Sequence, residues 1–406
     1  MERRLLLLVP TTTYRARAFI EAARRLPVAL SVASEEPSAL QHIAPASLPA
    51  FDFADVDESV RAAQTLHDDS PVHAVVAVDD GATRAAAAIA ARLGLQGNSL
   101  ESVECCLDKC RMRQRFDRTG VHQPPWTICS FGEPAALPGP MTYPVVVKPR
   151  AMSGSRGVIR ADNDRELTAA IRRVERIELG AAVSSTGALV EGFVPGDEIA
   201  IEGLLHDGAL HVITVFDKPD PLNGPFFPET IYTTPSRLPE PFRARAFARL
   251  REVIAALDVR DGPIHAELRG SAERVELIEI ATRSIGGLCS RVLQFAGGVT
   301  LEDVILRHAL GLLEAPPALT NPAAGVYMLQ VPAAGRVERI DGVERAARVP
   351  GIDEIRITAN PGREITPLPD GSIYPGFLFA RRPTADAVEQ ALREAASCIR
   401  FTMANS

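Results

Sequence analysis

The sequence lacks the features of exported and membrane-spanning chains. Its N-terminal apolar run, in MERRLLLLVP, has five residues and stops at Pro10, whereas the apolar core of a secretory signal has roughly 7 to 15. We therefore interpret this run as a buried first strand. No stretch approaches the roughly 20 apolar residues that cross a bilayer. The expected location is the cytoplasm, with no membrane partner.

An excess of positive charge is also missing. The chain has 44 lysine and arginine residues against 51 aspartate and glutamate residues, and its formal net charge is -7. Nucleic-acid binders usually carry a concentrated basic surface, so no nucleic-acid partner is expected. The six cysteines form neither a CxxC pair nor a zinc-finger spacing, which predicts reduced thiols.

What remains is the composition of a folded protein of several domains. The 406 residues are 46% apolar and 23% charged, and about 100 to 200 residues per domain gives two to four domains. Over the first hundred residues, strand and helix patterns alternate, which predicts a parallel sheet covered by helices. The turn after the first strand reads VPTTTY and lacks the glycines of a dinucleotide site.

Two clusters rich in proline, glycine or alanine indicate domain boundaries, at residues 135–140 and 315–324. Between them, short apolar runs bounded by turn residues predict a β-rich middle. After them, the last ninety or so residues are predicted to form a small α+β unit that ends in a helix over 386–400.

The segment PIHAELRGSAERVELIEIATR carries the most chemical information. A hairpin centred near Glu273 would set Glu267 directly across from Glu279, on one face of the sheet. Facing carboxylates repel unless a proton or a cation lies between them, and Mg²⁺ typically binds one or two carboxylates plus substrate phosphates. Period-two alternation adds His265 and Arg283 to this face. The alternation turns five apolar residues towards the core: Ile264, Ala266, Leu268, Ile278 and Ile280. The alternative is a solvated hairpin face with a cross-strand salt bridge.

A second segment, YPVVVKPRAMSGSRGV, combines a buried lysine with a glycine- and serine-rich loop. Lys148 interrupts an apolar strand, so it needs an anionic partner, and phosphate is a candidate. The loop from Ser153 to Gly157 could close over phosphate oxygens as an anion nest. A plain hairpin turn is the alternative.

A third segment, GALVEGFVPGDEIAIEGLL, places Glu191 at the end of one strand and Glu198 at the start of the next. Backbone groups from Glu191 to Val194 could hydrogen-bond an adenine edge, and Glu198 could accept from ribose hydroxyls. In isolation, the same pattern is typical of an ordinary hairpin.

Taken in order, these segments resemble the ATP-grasp superfamily, and within it the L-amino-acid ligases and carnosine-synthase-like enzymes. The resemblance begins at GLQGNSLESVECCLDKCRMR, continues through VVVKPRAMSGSRGV, VEGFVPGDEIAIEG and LHVITVFDKP, and ends with HAELR and ELIEIATRSIGG. It implies an ATP-grasp fold of mixed α/β and α+β class. The implied parts are an N-terminal parallel-sheet domain (1–103), a central subdomain with the phosphate loop (104–188), a subdomain with the adenine, metal and catalytic groups (189–312), and a C-terminal α+β subdomain (313–406).

The resemblance also implies roles for individual residues. ATP would be bound by Lys109, Lys148, Ser153, Ser155, Gly157, Glu191, Val194, Glu198 and Lys218. Glu267 and Glu279 would hold Mg²⁺, with Mn²⁺ as the alternative ion. The implied catalytic residues are Arg283, Lys148 and His265, and the substrate side is lined by Gly286, Gly287 and His265. One departure is Ala281, where many members have asparagine, so metal coordination could be thinner here.

The implied activity is an ATP-dependent ligase that converts a carboxylate to an acyl-phosphate and joins it to an amine, with small molecules as substrates. Two alternatives stay open: an ATP-grasp carboxylase or formate-dependent transferase, and a nucleotide-binding regulator without turnover. Family habit alone suggests a homodimer.

Overall fold

The computed structural model describes residues 3–11, 13–36, 50–133, 136–181, 183, 185–320 and 323–404. Ala135, in the first predicted boundary, and residues 321–322, in the second, lie outside the described residues. None of the helices in these ranges combines the length and apolar character of a membrane span.

The N-terminal unit is a three-stranded parallel sheet in the order β2-β1-β3. Its strands are β1 (Arg4–Leu8), β2 (Ala29–Ala33) and β3 (Ala74–Ala77), and its helices are α1 (Ala16–Arg24), α2 (Val56–Asp69) and α3 (Asp80–Leu93). Leu5 and Leu7 belong to one apolar core, while Leu6 and Leu8 belong to another on the opposite face. A strand covered on both faces is apolar throughout, so the prediction of a buried first strand in a parallel sheet is confirmed.

A small antiparallel sheet follows, in the order β4-β7-β5-β6. After α4 (Leu100–Leu107) and α5 (Lys109–Thr119), the chain forms β4 (Trp126–Ser130), β5 (Val145–Lys148), β6 (Ile159–Ala161), α6 (Asp164–Gly180) and β7 (Gly187–Gly192). Helix α6 packs on this sheet through Leu167, Ile171 and Val174. The predicted boundary between 188 and 189 falls inside β7. The predicted domain limits otherwise stay predictions.

The largest sheet has eight strands in the order β12-β11-β8-β9-β10-β13-β17-β15. Its first part is formed by β8 (Asp197–His206), β9 (Ala209–Lys218), β10 (Ile231–Thr234), β11 (Gly262–Gly270) and β12 (Val275–Ala281), with α7 (Glu240–Leu257) before β11 and α8 (Leu301–Ala309) after β12. Its second part comes from the C-terminal segment, which contains β13 (Ala323–Met328), β14 (Gly335–Asp341), α9 (Val343–Ala347), β15 (Ile352–Ile357), β16 (Glu364–Ile365), β17 (Gly376–Arg382), α10 (Ala385–Cys398) and β18 (Arg400–Ala404).

The C-terminal segment is therefore continuous with the main sheet. Strand β13 pairs with β10 in antiparallel register, while β16, β14 and β18 form a separate three-stranded sheet. The predicted helix over 386–400 corresponds to α10, but the expectation that it ends the segment is wrong, because β18 follows it.

The two faces of the large sheet have different neighbours. Ile199, Ile201 and Ile264 pack with helix α7 in one apolar core. Ala200, Leu204 and Phe216 face the other way, into a core shared with β1 and α1. The polar residues that alternate with the first group consequently lie on the face turned towards the N-terminal unit.

Candidate active site

A β-bulge in β12 sets the register of the two central glutamates. Glu267 of β11 pairs directly with Glu279 of β12, but the next pair towards the turn is Leu268 with Leu277. The additional residue is Ile278, which lines the cavity described below. The facing carboxylate pair is confirmed, whereas the expectation that Ile278 enters the apolar core is wrong. Leu277 takes that place, because one inserted residue reverses the alternation beyond it.

Three neighbouring strands bring charged residues together as cross-strand pairs. Glu198 of β8 lies between Lys218 of β9 and Arg269 of β11. Four residues further along β8, Glu202 lies beside His265. Paired residues share a face of a sheet, so these cross-strand pairs and the Glu267–Glu279 pair line one surface.

Each central glutamate has a lysine partner. Lys218 Nζ is 2.9 Å from Glu267 Oε1 and 2.8 Å from Glu198 Oε1, and Lys109 Nζ is 3.2 Å from Glu279 Oε2. Burial alone would raise the pKa of Glu267, but Lys218 and then His265 hold it well below its usual value. Ionised carboxylates are the ligands that Mg²⁺ requires. Both glutamates border the cavity, so this donor set fits a magnesium ion.

His265 bridges two carboxylates. Its Nδ1 contacts Glu202, and its Nε2 lies 3.3 Å from Glu267 Oε1. Burial alone would lower the pKa of His265, but Glu202 and Glu267 raise it to about 9. The imidazole is therefore held between the two carboxylates, and its catalytic role stays a prediction.

Lys148 has a protein carboxylate as its anionic partner. Lys148 Nζ is 2.6 Å from one oxygen of Glu191, and Arg113 Nε is 2.6 Å from the other. Although burial opposes ionisation, Arg113 and Lys148 lower the pKa of Glu191 to about 2. Glu191 is therefore the anionic partner that the buried lysine needs within the fold, and a contact between Lys148 and phosphate stays a prediction.

The glycine- and serine-rich loop rests on the C-terminal segment. Gly157 donates its N–H to the Pro369 carbonyl at 2.9 Å, and Arg156 Nε donates to the Asp370 carbonyl at 2.8 Å. Ser153 and Ser155 line the cavity, but Gly157 does not. The N–H of Gly157 is thus already hydrogen-bonded within the protein, and Gly157 stabilises the loop from outside the cavity.

Arg283 is held by the N-terminal unit. Its Nη2 lies 2.8 Å from Asp80 Oδ2, and its Nε lies 3.6 Å from Asp79 Oδ1. Arg15 of the same unit donates to the carbonyl of Ser284, the next residue. The N-terminal unit therefore holds the side chain of Arg283 and the backbone of the residue that follows it.

All these groups surround one cavity of about 680 Å³ between the small sheet and the large one. A volume of this size is typical of small-molecule sites. Every predicted site residue except Gly157 lines it: Lys109, Lys148, Ser153, Ser155, Glu191, Val194, Glu198, Lys218, His265, Glu267, Glu279, Arg283, Gly286 and Gly287.

Sequence reasoning missed several groups at this site. Glu202 is four residues beyond Glu198 on the same strand, so the alternation that exposes one also exposes the other, and this signal was available. Asp80 comes from the N-terminal unit and Glu229 from the connection between β9 and β10, so neither has a local signal. Burial raises the pKa of Glu229 to about 7, against the positive charge of Lys218.

Comparison with known proteins identifies the fold. One family model, "ATP-grasp domain", matches residues 141–292, and another, "L-amino acid ligase C-terminal domain 2", matches residues 327–404. The crystal structure of an L-amino acid ligase from Bacillus licheniformis superposes with a TM-score of 0.81 at 25% identity, and each chain is covered completely. Residues 141–292 therefore match an ATP-grasp domain, and the chain as a whole has the ATP-grasp fold.

Two sequence relatives of this ATP-grasp chain are named enzymes. An alanine–anticapsin ligase of Bacillus subtilis is 25% identical over 234 residues, which are 53% of this chain and 49% of that enzyme. A formate-dependent phosphoribosylglycinamide formyltransferase of Mycolicibacterium vanbaalenii is 30% identical over 264 residues, which are 61% of each chain. Both matches cover less than two thirds of the relative.

Proposed function

We propose that this ATP-grasp chain is an ATP-dependent carboxylate–amine ligase that joins an acid to the amino group of an amino acid. The observation that carries the proposal is the facing pair Glu267 and Glu279, set among Lys109, Lys218 and Arg283 in one cavity. The match of the C-terminal segment to an L-amino acid ligase domain supports the same activity.

The two ends of the cavity suit different parts of the reaction. ATP would lie between the two sheets, with Val194 beside adenine, Glu198 at the ribose, and the Ser153–Ser155 loop and Lys148 at the phosphates. Glu267 and Glu279 would hold Mg²⁺, which neutralises phosphate charge when bound. The Glu191 carboxylate orients Lys148 for this contact.

The reaction needs two displacements. A substrate carboxylate oxygen attacks the γ-phosphorus of ATP, and the bond from that phosphorus to the β,γ-bridging oxygen breaks. ADP is the leaving group, and the product is an acyl-phosphate. A neutral amine then attacks the acyl carbon, phosphate departs with the bonding electrons, and the amine loses a proton to give an amide. Arg283 would stabilise the negative oxygen of the tetrahedral intermediate through its guanidinium N–H groups.

The end of the cavity that is lined by aromatic residues suits a substrate amino acid with an apolar side chain. Tyr14, Tyr374 and Phe377 line this end, and Tyr374 packs edge to face on Phe377 with ring centroids 5.9 Å apart. The hydroxyl of Tyr374 is buried and has no hydrogen-bond partner among the described residues. Arg363 also borders this end and can pair with a substrate carboxylate.

The test is a screen of amino-acid pairs for ADP and phosphate release, with mass analysis of the products. The expected result is release that requires two amino acids and yields one amide per ATP. Turnover with formate or bicarbonate, and none with amino acids, would favour the carboxylase or formyltransferase alternative. The 30% identity to a formate-dependent enzyme is the observation that keeps this alternative in the screen. Nucleotide binding without turnover on any substrate would indicate a regulator.

A further inference from the structure

A cluster of two histidines and an aspartate lies outside the cavity described above. His206 ends β8, Asp261 lies in the connection between α7 and β11, and His308 is in α8. One nitrogen or oxygen ligand atom from each residue lies within 4.8 Å of the others. From this geometry we propose a second metal site, which binds Zn²⁺, Co²⁺ or a similar first-row divalent cation. This proposal is independent of the proposed ligase function.

The distances fit a small cation after a modest movement. Asp261 Oδ1 is 2.9 Å from His308 Nε2, close to the spacing of roughly 3.3 Å between ligands that sit 2.0–2.2 Å from a tetrahedral Zn²⁺. His206 is the outer ligand, and its side chain is exposed at the end of β8, next to the turn at 207–208. The rings of His206 and His308 already meet edge to face, with centroids 5.5 Å apart.

The backbone around the cluster is fixed before any ion binds. Gly208, in the turn after His206, donates its N–H to the Arg260 carbonyl at 2.8 Å. The Asn98 side chain receives the N–H of Asp261 at 3.0 Å and donates to the carbonyl of Asp261 at 2.7 Å. Three chain segments therefore hold these ligands in place, which lowers the entropic cost of forming a metal site.

Gln96 contacts two members of the cluster. Its side-chain nitrogen is 2.9 Å from Asp261 Oδ1 and 3.4 Å from His206 Nδ1. Rotation of this amide by half a turn would present an oxygen in the same place. Such an oxygen would be repelled by the Asp261 carboxylate unless a cation lay between them, and with a cation it becomes a fourth ligand.

A hydrogen-bond network alone does not account for His206. Asp261, His308 and Gln96 already join the N-terminal unit, the sheet and α8 without it. Within the described residues, the only hydrogen bond of the His206 side chain is the 3.4 Å contact with Gln96. Two imidazoles and a carboxylate favour Zn²⁺, Co²⁺ or a similar ion over Mg²⁺, which prefers oxygen ligands alone.

The test is Zn²⁺ titration of the dialysed full-length chain by calorimetry, with excess Mg²⁺ present to occupy the glutamate pair. We expect one Zn²⁺ per chain and a rise in Tm that a chelator reverses. His206→Ala should weaken binding by about tenfold or more, since even second-sphere changes cost 10- to 100-fold in metal affinity. His211→Ala, another exposed histidine on the same hairpin, is the matched control and should bind Zn²⁺ like the unmodified chain.

Co²⁺ provides an optical readout that does not depend on turnover. A tetrahedral Co²⁺ spectrum should form in the unmodified chain and in His211→Ala, and should be lost in His206→Ala. Because His206 is exposed, circular dichroism should show that the variant stays folded. Absence of Zn²⁺ binding, or equal affinity in His206→Ala and the unmodified chain, would overturn the proposal.

Discussion

At the scale of single residues, Glu279 is the sharpest test of the carboxylate pair. Its side chain is 29% exposed, and its only salt bridge among the described residues is with Lys109. Glu279→Ala should therefore leave the fold intact. It should lower turnover by about 1,000-fold or more, because it removes half of a metal-binding pair whose charge neutralisation is worth several kcal/mol.

Glu273→Ala is the matched control for that change. Glu273 lies in the turn of the same hairpin and is exposed, so its removal should leave ADP release unchanged. Equal rates for Glu279→Ala and the control, measured on proteins with the same Tm, would remove the metal assignment.

Glu191 makes a prediction about stability and pH. Glu191→Gln leaves Lys148 and Arg113 buried without a counter-charge, and breaking a buried pair in this way costs about 3–5 kcal/mol. Because the folded pKa of Glu191 is about 2, below its ordinary 4.5, its contribution is complete above pH 4.5 and is lost as the pH falls towards 2. Urea unfolding at pH 7 and at pH 3 should show that the gap between variant and unmodified chain narrows in acid. A constant gap would contradict the depressed pKa.

Contacts that the sequence could reveal join residues that are close along the chain, and contacts that it could not reveal join residues that are far apart along the chain. The facing of Glu267 and Glu279 follows from one hairpin, so local alternation predicts it. The carboxylate that pairs with Lys148 within the fold, Glu191, comes from a strand 43 residues away, so the local sequence around Lys148 does not reveal it. Asp80 is 203 residues from Arg283, and no local pattern connects two residues so far apart.

At the scale of elements, the bulge in β12 shows why strand patterns alone mislead. If the register of the pairs near the turn continued without a bulge, Glu267 would lie opposite Ile278. Glu279 would then face the apolar core. Sequence alternation places both glutamates correctly near the open end of the hairpin. It misplaces Ile278, because a bulge is set by pairing between strands.

The glycine loop between β5 and β6 gives an element-scale prediction. Gly157 has a φ of +73°, and a Cβ atom there would lie 2.5 Å from Pro149 Cγ. Gly157→Ala should therefore displace the Ser153–Ser155 loop. A left-handed conformation costs other residues roughly 1–2 kcal/mol, so the KM for ATP should rise about tenfold.

Gly180→Ala is the control for the loop variant. Gly180 ends α6, has an ordinary φ, and has no atom within 4 Å of an added Cβ, so this change should leave kinetics unchanged. Nucleotide affinity measured on both variants decides the point. An unaltered KM in Gly157→Ala would mean that the loop does not contact ATP.

At the scale of the whole molecule, the N-terminal unit contributes to the site without any nucleotide fingerprint of its own. Asp80 stands at the start of α3, and Arg15 precedes α1, yet both hold the segment that contains Arg283 and Ser284. The parallel sheet is thereby joined to the catalytic face of the large sheet. This arrangement predicts that a change in the first domain affects the chemistry of the second.

Asp80→Asn tests this connection between domains. The variant keeps a hydrogen-bonding side chain but loses the charge that holds Arg283, and a displacement of about 1 Å at a catalytic group can cost 10²-fold. We expect kcat to fall by about 10- to 100-fold while the KM for ATP changes less than about twofold. Arg283→Met should lower kcat further, because it removes the group itself. Asp57→Asn makes the same change in the first turn of α2, on an exposed side chain, and should retain full activity. If steady-state kinetics give Asp80→Asn the same kcat as Asp57→Asn, Arg283 is positioned by the chain that follows β12 and not by the N-terminal unit.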